Sequence, residues 1–279
     1  MKEFKGKVAV ITGAASGIGR AIAERCAQEG MKVAVADIER QALEKAELEL
    51  RAAGASVLAV PTDVSKAEEV EALKDKTLAA FGAVHLLCNN AGVGAGSTVW
   101  ESTLADWEWV IGVNLWGMIH GARTFVPVML AQNSEGHIVN TASIAGLLPS
   151  HPSATYQVTK HAVVGLTEHL YNSLKQMQSK IHVSVLCPGW VKTRIMDSER
   201  NRPAALQNKE EAVMSPMVEA VYQYMLNAVE TGTDPAKVAE MVFKGIRAEQ
   251  LYIPTSLEVN RELQERMETI LKQMTSLPQ

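Results

Sequence analysis

The sequence predicts a doubly wound α/β domain, a parallel sheet with helices on both faces, over a chain of 279 residues. Three observations carry this. Short apolar runs alternate with longer helical patterns along most of the chain. The runs are continuously apolar, as strands buried on both faces are, and do not alternate with polar residues. No proline- or serine-rich linker divides them, so one domain is expected over 1–279.

The elements follow in order. "VAVIT" (8–12) is a buried strand, and 18–30 a helix that ends at glycine. "KVAVAD" (32–37) is the second strand. Residues 39–53 form a charged amphipathic helix stopped by Gly54. "SVLAVPTD" (56–63) runs as a strand into a turn, 66–81 is helical, and "VHLLCNN" (84–90) is the fourth strand. One long helix is expected over 104–132. "GHIVNTAS" (136–143) is a strand, 154–179 a helix and "HVSVLCPG" (182–189) a strand. The rhythm breaks at 194–230, polar first and then rich in Met and Tyr, which reads as a flap of short helices. "LYIPT" (251–255) is a last strand. A helical extension at about 256–279, with its helix from Glu258 to Met274, closes the chain.

Composition narrows the function. The net charge is −4 and Lys/Arg form no long basic run, which argues against nucleic acid or an anionic membrane as partner. The first apolar run is short and broken by glycine, so neither a signal peptide nor a membrane span is expected there. Cys26, Cys88 and Cys187 are widely spaced and form no CxxC. They read as reduced, buried thiols of a cytoplasmic protein. The 7 histidines form no ligand motif, so no metal is expected.

"TGAASGIGR" (12–20) joins the first strand to the first helix, with Gly13, Gly17 and Gly19 in a GxxxGxG spacing. Glycines let a backbone turn sharply and approach a pyrophosphate closely. The helix beginning near Ile18 offers free N–H groups and the positive end of its dipole. A plain glycine turn is the other reading. Asp37 ends the second strand, where a carboxylate can accept from both hydroxyls of an adenosine ribose and would repel a 2′-phosphate. NAD is therefore favoured, and NADP stays open because Arg40 is near.

At the other end, Tyr156 and Lys160 in "TYQVTK" stand four apart and share one helix face. A phenol can give or take a proton, but its ordinary pKa is about 10, and a nearby ammonium favours the phenolate. Ser143, at the end of the fifth strand, can hydrogen-bond a substrate oxygen. Asn114, in an apolar helix, could instead satisfy a neighbouring backbone group.

Together these motifs make the chain resemble the short-chain dehydrogenase/reductase family in its compact branch, closely over about 6–193 and more loosely to 255. "TGAASGIG" resembles TGxxxGxG, Asp63-Val64 the adenine-holding pair, "NNAG" (89–92) a signature after the fourth strand, and "YQVTK" the YxxxK. "PGWVKT" (188–193) resembles the stretch beside the nicotinamide. The resemblance implies a Rossmann-like fold and interconversion of a secondary alcohol and a ketone. It implies Tyr156 as general acid/base, Lys160 lowering its pKa and binding ribose, Ser143 holding the substrate oxygen and Asn114 in a proton relay. The cofactor-binding set it implies is Gly13, Ser16, Gly17, Ile18, Gly19, Asp37, Ile38, Asp63, Val64, Asn90, Ala91, Gly92, Tyr156, Lys160, Pro188, Gly189, Val191 and Thr193. It also implies a homodimer or homotetramer through the long helix and the one bearing Tyr156.

The substrate wall is expected from the turn 144–153, from 93–100 and from the flap. Leu147, Leu148, Trp190, Ile195, Met196, Met214, Met217, Tyr222 and Met225 point to a small apolar alcohol or ketone. His151 could face the pocket, but reads first as an ordinary loop histidine. Two other classes stand beside the oxidoreductase: a catalytically inactive dinucleotide-binding regulator, and an epimerase or dehydratase with bound NAD.

Overall fold

Seven parallel strands build the sheet: β1 (Val8–Thr12), β2 (Lys32–Asp37), β3 (Ser56–Pro61), β4 (Leu86–Asn89), β5 (Gly136–Thr141), β6 (Ile181–Cys187) and β7 (Tyr252–Pro254). Their order across the sheet is β3-β2-β1-β4-β5-β6-β7. The structure is a computed structural model that describes residues 1–149, 151–208, 216–256 and 260–275, without the side chains at 216–218.

The uninterrupted apolar runs become strands because both faces of each are covered. Along β1 and β2, Ala9, Ile11, Val33 and Val35 join one core cluster, while Val10, Ala34 and Ala36 join another on the opposite face. The first cluster is closed by α1 (Gly17–Gln28), α2 (Arg40–Ala52) and α8 (Pro235–Ala248). The second is closed by α3 (Ala67–Phe81), α5 (Gly117–Ala131) and α6 (Ala154–Gln176). The chain winds outward from β1 to β3 and then returns to β4 on the other side of β1. The carboxyl ends of β1 and β4 therefore flank the crevice where such sheets bind ligands.

The helix expected over 104–132 is divided. It runs as α4 (Leu104–Ile111), a π-helical turn (Gly112–Trp116) and α5. In the turn the Gly117 N–H donates to Gly112 O, one residue beyond α spacing, and Asn114 sits at its centre. A Thr103/Asp106 capping box starts α4.

The flap holds 3₁₀ turns at Ile195–Asn201 and Ala204–Leu206, then α7 (Pro216–Glu230). Residues 209–215, with Met214, lie outside the described residues, as does the Met217 side chain. Buried Arg202 fastens the flap to α4, pairing with Asp106 and stacking 4.8 Å from the Trp109 ring. The alternation argument does not reach α8, although Asp234 caps it and Pro235 opens it.

The terminal helix α9 (Asn260–Thr275) buries no residue and touches the domain through Arg266, which donates to Leu147 O at 2.7 Å. Its expected start, Glu258, lies outside the described residues. No helix among the described residues is long and apolar enough to cross a membrane.

Candidate active site

One cavity runs from the β1–α1 loop to the N-terminal half of α6. Of the eighteen residues expected at the cofactor, all but Gly19 line it: Gly13, Ser16, Gly17, Ile18, Asp37, Ile38, Asp63, Val64, Asn90, Ala91, Gly92, Tyr156, Lys160, Pro188, Gly189, Val191 and Thr193. Gly19 supports the loop from behind. A Cβ on it would lie 2.1 Å from Gly13 O.

The glycine loop and the β4 loop form one knot. Thr12 Oγ1 accepts the Asn90 and Ala91 N–H groups at 2.9 and 3.1 Å, and Asn90 Nδ2 donates to Thr12 O at 3.1 Å. A Cβ on Gly13, at φ +64, would meet the Ala91 backbone at 2.8 Å. This crowding keeps both loops free of side chains where a pyrophosphate would approach. Asp37 accepts from Ala15 N at 2.9 Å through Oδ2 and from Glu39 N at 3.0 Å through Oδ1. Burial pushes its carboxyl up, against those two N–H groups. The carboxylate is fixed in place and keeps spare lone pairs for ribose hydroxyls.

The sequence reading missed Glu39 beside it. Burial raises the Glu39 carboxyl, but Arg200, Asn201 and Arg194 outweigh that and hold it below its ordinary value. Arg200 Nη2 stands 2.6 Å and Arg194 Nη1 3.4 Å from it. Because both arginines belong to the flap, the two banks of the cleft are joined here. The contact spans more than 150 residues of sequence, so no local pattern announces it.

At the reacting end Ser143, Tyr156 and Lys160 converge. Lys160 is 3% exposed, and its Nζ donates to Thr141 O at 3.0 Å, 5.4 Å from the Tyr156 ring centroid. Burial pushes the phenol of Tyr156 up, while a hydrogen bond with Ser143 pulls it the other way. Without cofactor the phenol therefore sits above its ordinary value. The Lys160 ammonium here points at the Thr141 carbonyl, and for the phenol burial outweighs the Ser143 bond.

Asn114 does not line the cavity. Wholly buried, its Oδ1 accepts from Val93 N at 2.8 Å, and its Nδ2 donates to Val93 O at 2.9 Å and Thr159 Oγ1 at 3.2 Å. This is the backbone-satisfying role that the sequence left open. Gly92 separates it from Lys160: a Cβ there would lie 3.3 Å from Asn114 Oδ1 and 3.4 Å from Lys160 Nζ.

Burial pushes Lys160 down to about 8. Its ordinary value is about 10.4, so between those two values the unfolded chain holds a proton that the folded chain lacks. Stability then rises with pH through that window, and the full cost is present below it. Lys160→Met should raise the melting temperature of the cofactor-free protein at pH 7 by roughly 5 °C, from a relief of about 3 kcal/mol less the lost Thr141 bond. The gain should shrink by pH 10. Thermal unfolding of both proteins at the two pH values checks this.

The substrate half is walled by Val93–Ser97, Trp109, Trp190, Ile195, Met196, Tyr222 and Met225. Leu147 and Leu148 are corrections: they turn from the cavity, Leu148 buried and Leu147 packed on the cluster of Val163 and Val185. Of the two readings of His151, the pocket-facing one fits: it lines the cavity and packs against the Tyr156 ring at 4.8 Å.

A family profile described as short chain dehydrogenase matches residues 7–204. Among solved structures, a short chain dehydrogenase/reductase from Burkholderia phymatum in complex with NAD superposes with a TM-score of 0.95 at 47% identity, covering 100% of this chain and 99% of that one. The CLA biosynthesis dehydrogenase/reductase of Lactiplantibacillus plantarum is 35% identical over 272 residues, 97% of this chain and 95% of that protein. The C alpha-dehydrogenase of a Sphingobium species is 35% identical over 277 residues, 97% and 87% of the two chains.

Proposed function

This chain belongs to the short-chain dehydrogenase/reductase family of oxidoreductases, and on that premise we propose that it interconverts a secondary alcohol and a ketone with NAD. The observation that carries the reading is the single cavity, with the glycine loop and Asp37 at one end and Ser143, Tyr156 and Lys160 at the other.

The nicotinamide cofactor, when bound, carries the hydride. The chain's own groups do the rest. Ser143 Oγ hydrogen-bonds the substrate oxygen and orients it. Tyr156 gives that oxygen a proton on reduction and takes one on oxidation. Lys160 holds its charge beside the phenol and reaches toward the nicotinamide ribose. Asn114 fixes the Val93 backbone behind Lys160, and a relay of protons from Lys160 to solvent past Asn114 belongs to the same proposal.

NAD is favoured over NADP because Asp37 faces the cavity while the nearby flap guanidiniums of Arg194 and Arg200 are held by Glu39. The solved Burkholderia relative is in complex with NAD. NADP keeps one support, a shallow recess lined by Ile38, Arg40 and Lys66. The walls suit a small, mostly apolar alcohol or ketone. The buried, unbridged Cys26, Cys88 and Cys187 agree with a cytoplasmic setting. A homodimer or homotetramer belongs to the same reading, with Trp116 at 47% and Val158 at 50% exposure on the two helices involved.

The test is an absorbance screen for reduced cofactor over alcohols graded by size and polarity, with NAD⁺ and with NADP⁺. Turnover several-fold better with NAD⁺ is expected. A preference for NADP⁺ overturns the role given to Asp37. No turnover across the series while NADH still binds supports the regulator instead.

A further inference from the structure

Residues 151–155, which lead into α6, are fastened to the far wall of the cavity. Ser153 Oγ and Thr155 Oγ1 both donate to Ala95 O at 2.6 Å, and Ala154 N–H donates to Ser97 O at 2.8 Å. The His151 main-chain N–H donates to Gln157 Oε1 at 3.0 Å. The imidazole is thus held on a rigid rim, its ring centroid 4.8 Å from that of Tyr156 and tilted 33° to it.

The ring's hydrogen bonds set its tautomer. The Ser153 N–H points at His151 Nδ1 at 3.1 Å. His151 Nδ1 also lies 3.3 Å from Ser153 O, but that carbonyl already accepts from the Gln157 N–H at 3.0 Å, whereas the Ser153 N–H has no other acceptor among the described residues. Pairing both groups therefore makes Nδ1 the acceptor and puts the proton on Nε2. Burial pushes the imidazole below its ordinary value, outweighing the Ser153 main chain, which raises it. Among the described residues the Nε2–H has no acceptor. It is also not one of the two sealed, unpartnered side-chain atoms, His137 Nδ1 and Arg202 Nε. Three serine and threonine hydroxyls of this wall are committed: Ser153 and Thr155 to Ala95, and Ser198 to Ile195 O while it accepts from Gly94 N.

We propose that His151 is a specificity-determining residue, whose Nε2–H receives a second oxygen of the substrate close to the one that meets Tyr156. The preferred substrate class is then a vicinally oxygenated secondary alcohol, a 1,2-diol or α-hydroxy ketone, rather than a simple alcohol. This rests on the oxidoreductase reading above and sharpens it. A donor fixed beside the acid-base group discriminates because a bound simple alcohol offers it no oxygen.

The test compares NAD⁺-linked oxidation of trans-cyclohexane-1,2-diol and cyclohexanol, and its readout is the ratio of their kcat/KM values. A general disturbance of Tyr156 cancels in this ratio. The wild type should favour the diol by about tenfold, the order of one net hydrogen bond to the substrate. His151→Phe keeps the packing on Tyr156 and removes the N–H, so its ratio should fall to about one. His151→Gln returns a donor and should hold the ratio above that of His151→Phe. A wild-type ratio near one, with both alcohols oxidised, overturns the inference and leaves the oxidoreductase reading standing. So does a ratio unchanged in His151→Phe. Oxidation of neither alcohol, nor of any other in the graded series, removes that reading and the inference with it.

Discussion

Tyr156→Phe is expected to lower kcat by about a thousandfold while NADH affinity stays within about threefold, on the usual range for general acid-base catalysis. The substitution removes one oxygen. The ring that packs on His151 remains, and so do the Lys160–Thr141 bond, the glycine loop and Asp37. Proton delivery to the substrate oxygen is lost, and dinucleotide binding is not. The sign of the pH dependence follows from burial, which pushes the phenol of the cofactor-free protein above its ordinary value. At neutral pH that group is a protonated acid, ready for ketone reduction. Alcohol oxidation needs its phenolate, so wild-type oxidation should climb toward alkaline pH and reduction should not. Turnover by fluorescence-verified, NADH-binding Tyr156→Phe at near wild-type rate would remove Tyr156 from the mechanism.

What the sequence discloses and what it hides divide by range. Strands β1 to β6 are legible because a strand buried on both faces is mostly apolar, even where β5 also buries His137 and Asn140. The glycine loop is legible because its physical demand, a backbone with no side chain in the way, is met by residues that are neighbours in sequence. Tyr156 and Lys160 are legible for the same reason. The π turn at Gly112–Trp116 is hidden because one extra residue barely shifts an apolar stripe. Glu39 with Arg194 and Arg200 is hidden because each is an ordinary surface charge until the flap folds back. His151 is hidden because its part depends on which way a loop ring turns. The same ambiguity explains Leu147 and Leu148, whose apolar character fits the core as well as a pocket.

Gly19→Ala should abolish measurable NADH binding, a loss of at least about a hundredfold, although the change adds one methyl group. That methyl would lie 2.1 Å from Gly13 O and 2.6 Å from Asn90 Nδ2. Neither neighbour can give way cheaply. Gly13 O is main chain in a turn at φ +64, itself pressed against the Ala91 backbone. Asn90 Nδ2 is tied to Thr12 O, and Thr12 Oγ1 holds the Asn90 and Ala91 N–H groups. Relief requires α1 to move away from β1, or the loop to enter the space a pyrophosphate needs. Overpacking of this kind commonly costs about 1–3 kcal/mol in stability, so the variant should still fold with a lowered melting temperature. Gly54→Ala separates crowding from backbone strain. Gly19 is helical and carries crowding alone, whereas Gly54, at φ +85, is unsuited to alanine but has no atom within 4 Å of the added carbon and stands at the far end of α2. It should lose stability without losing NADH affinity. If Gly19→Ala, folded by circular dichroism, titrates NADH like the wild type, the β1–α1 loop is not the phosphate cradle, and the dinucleotide must enter the cavity another way.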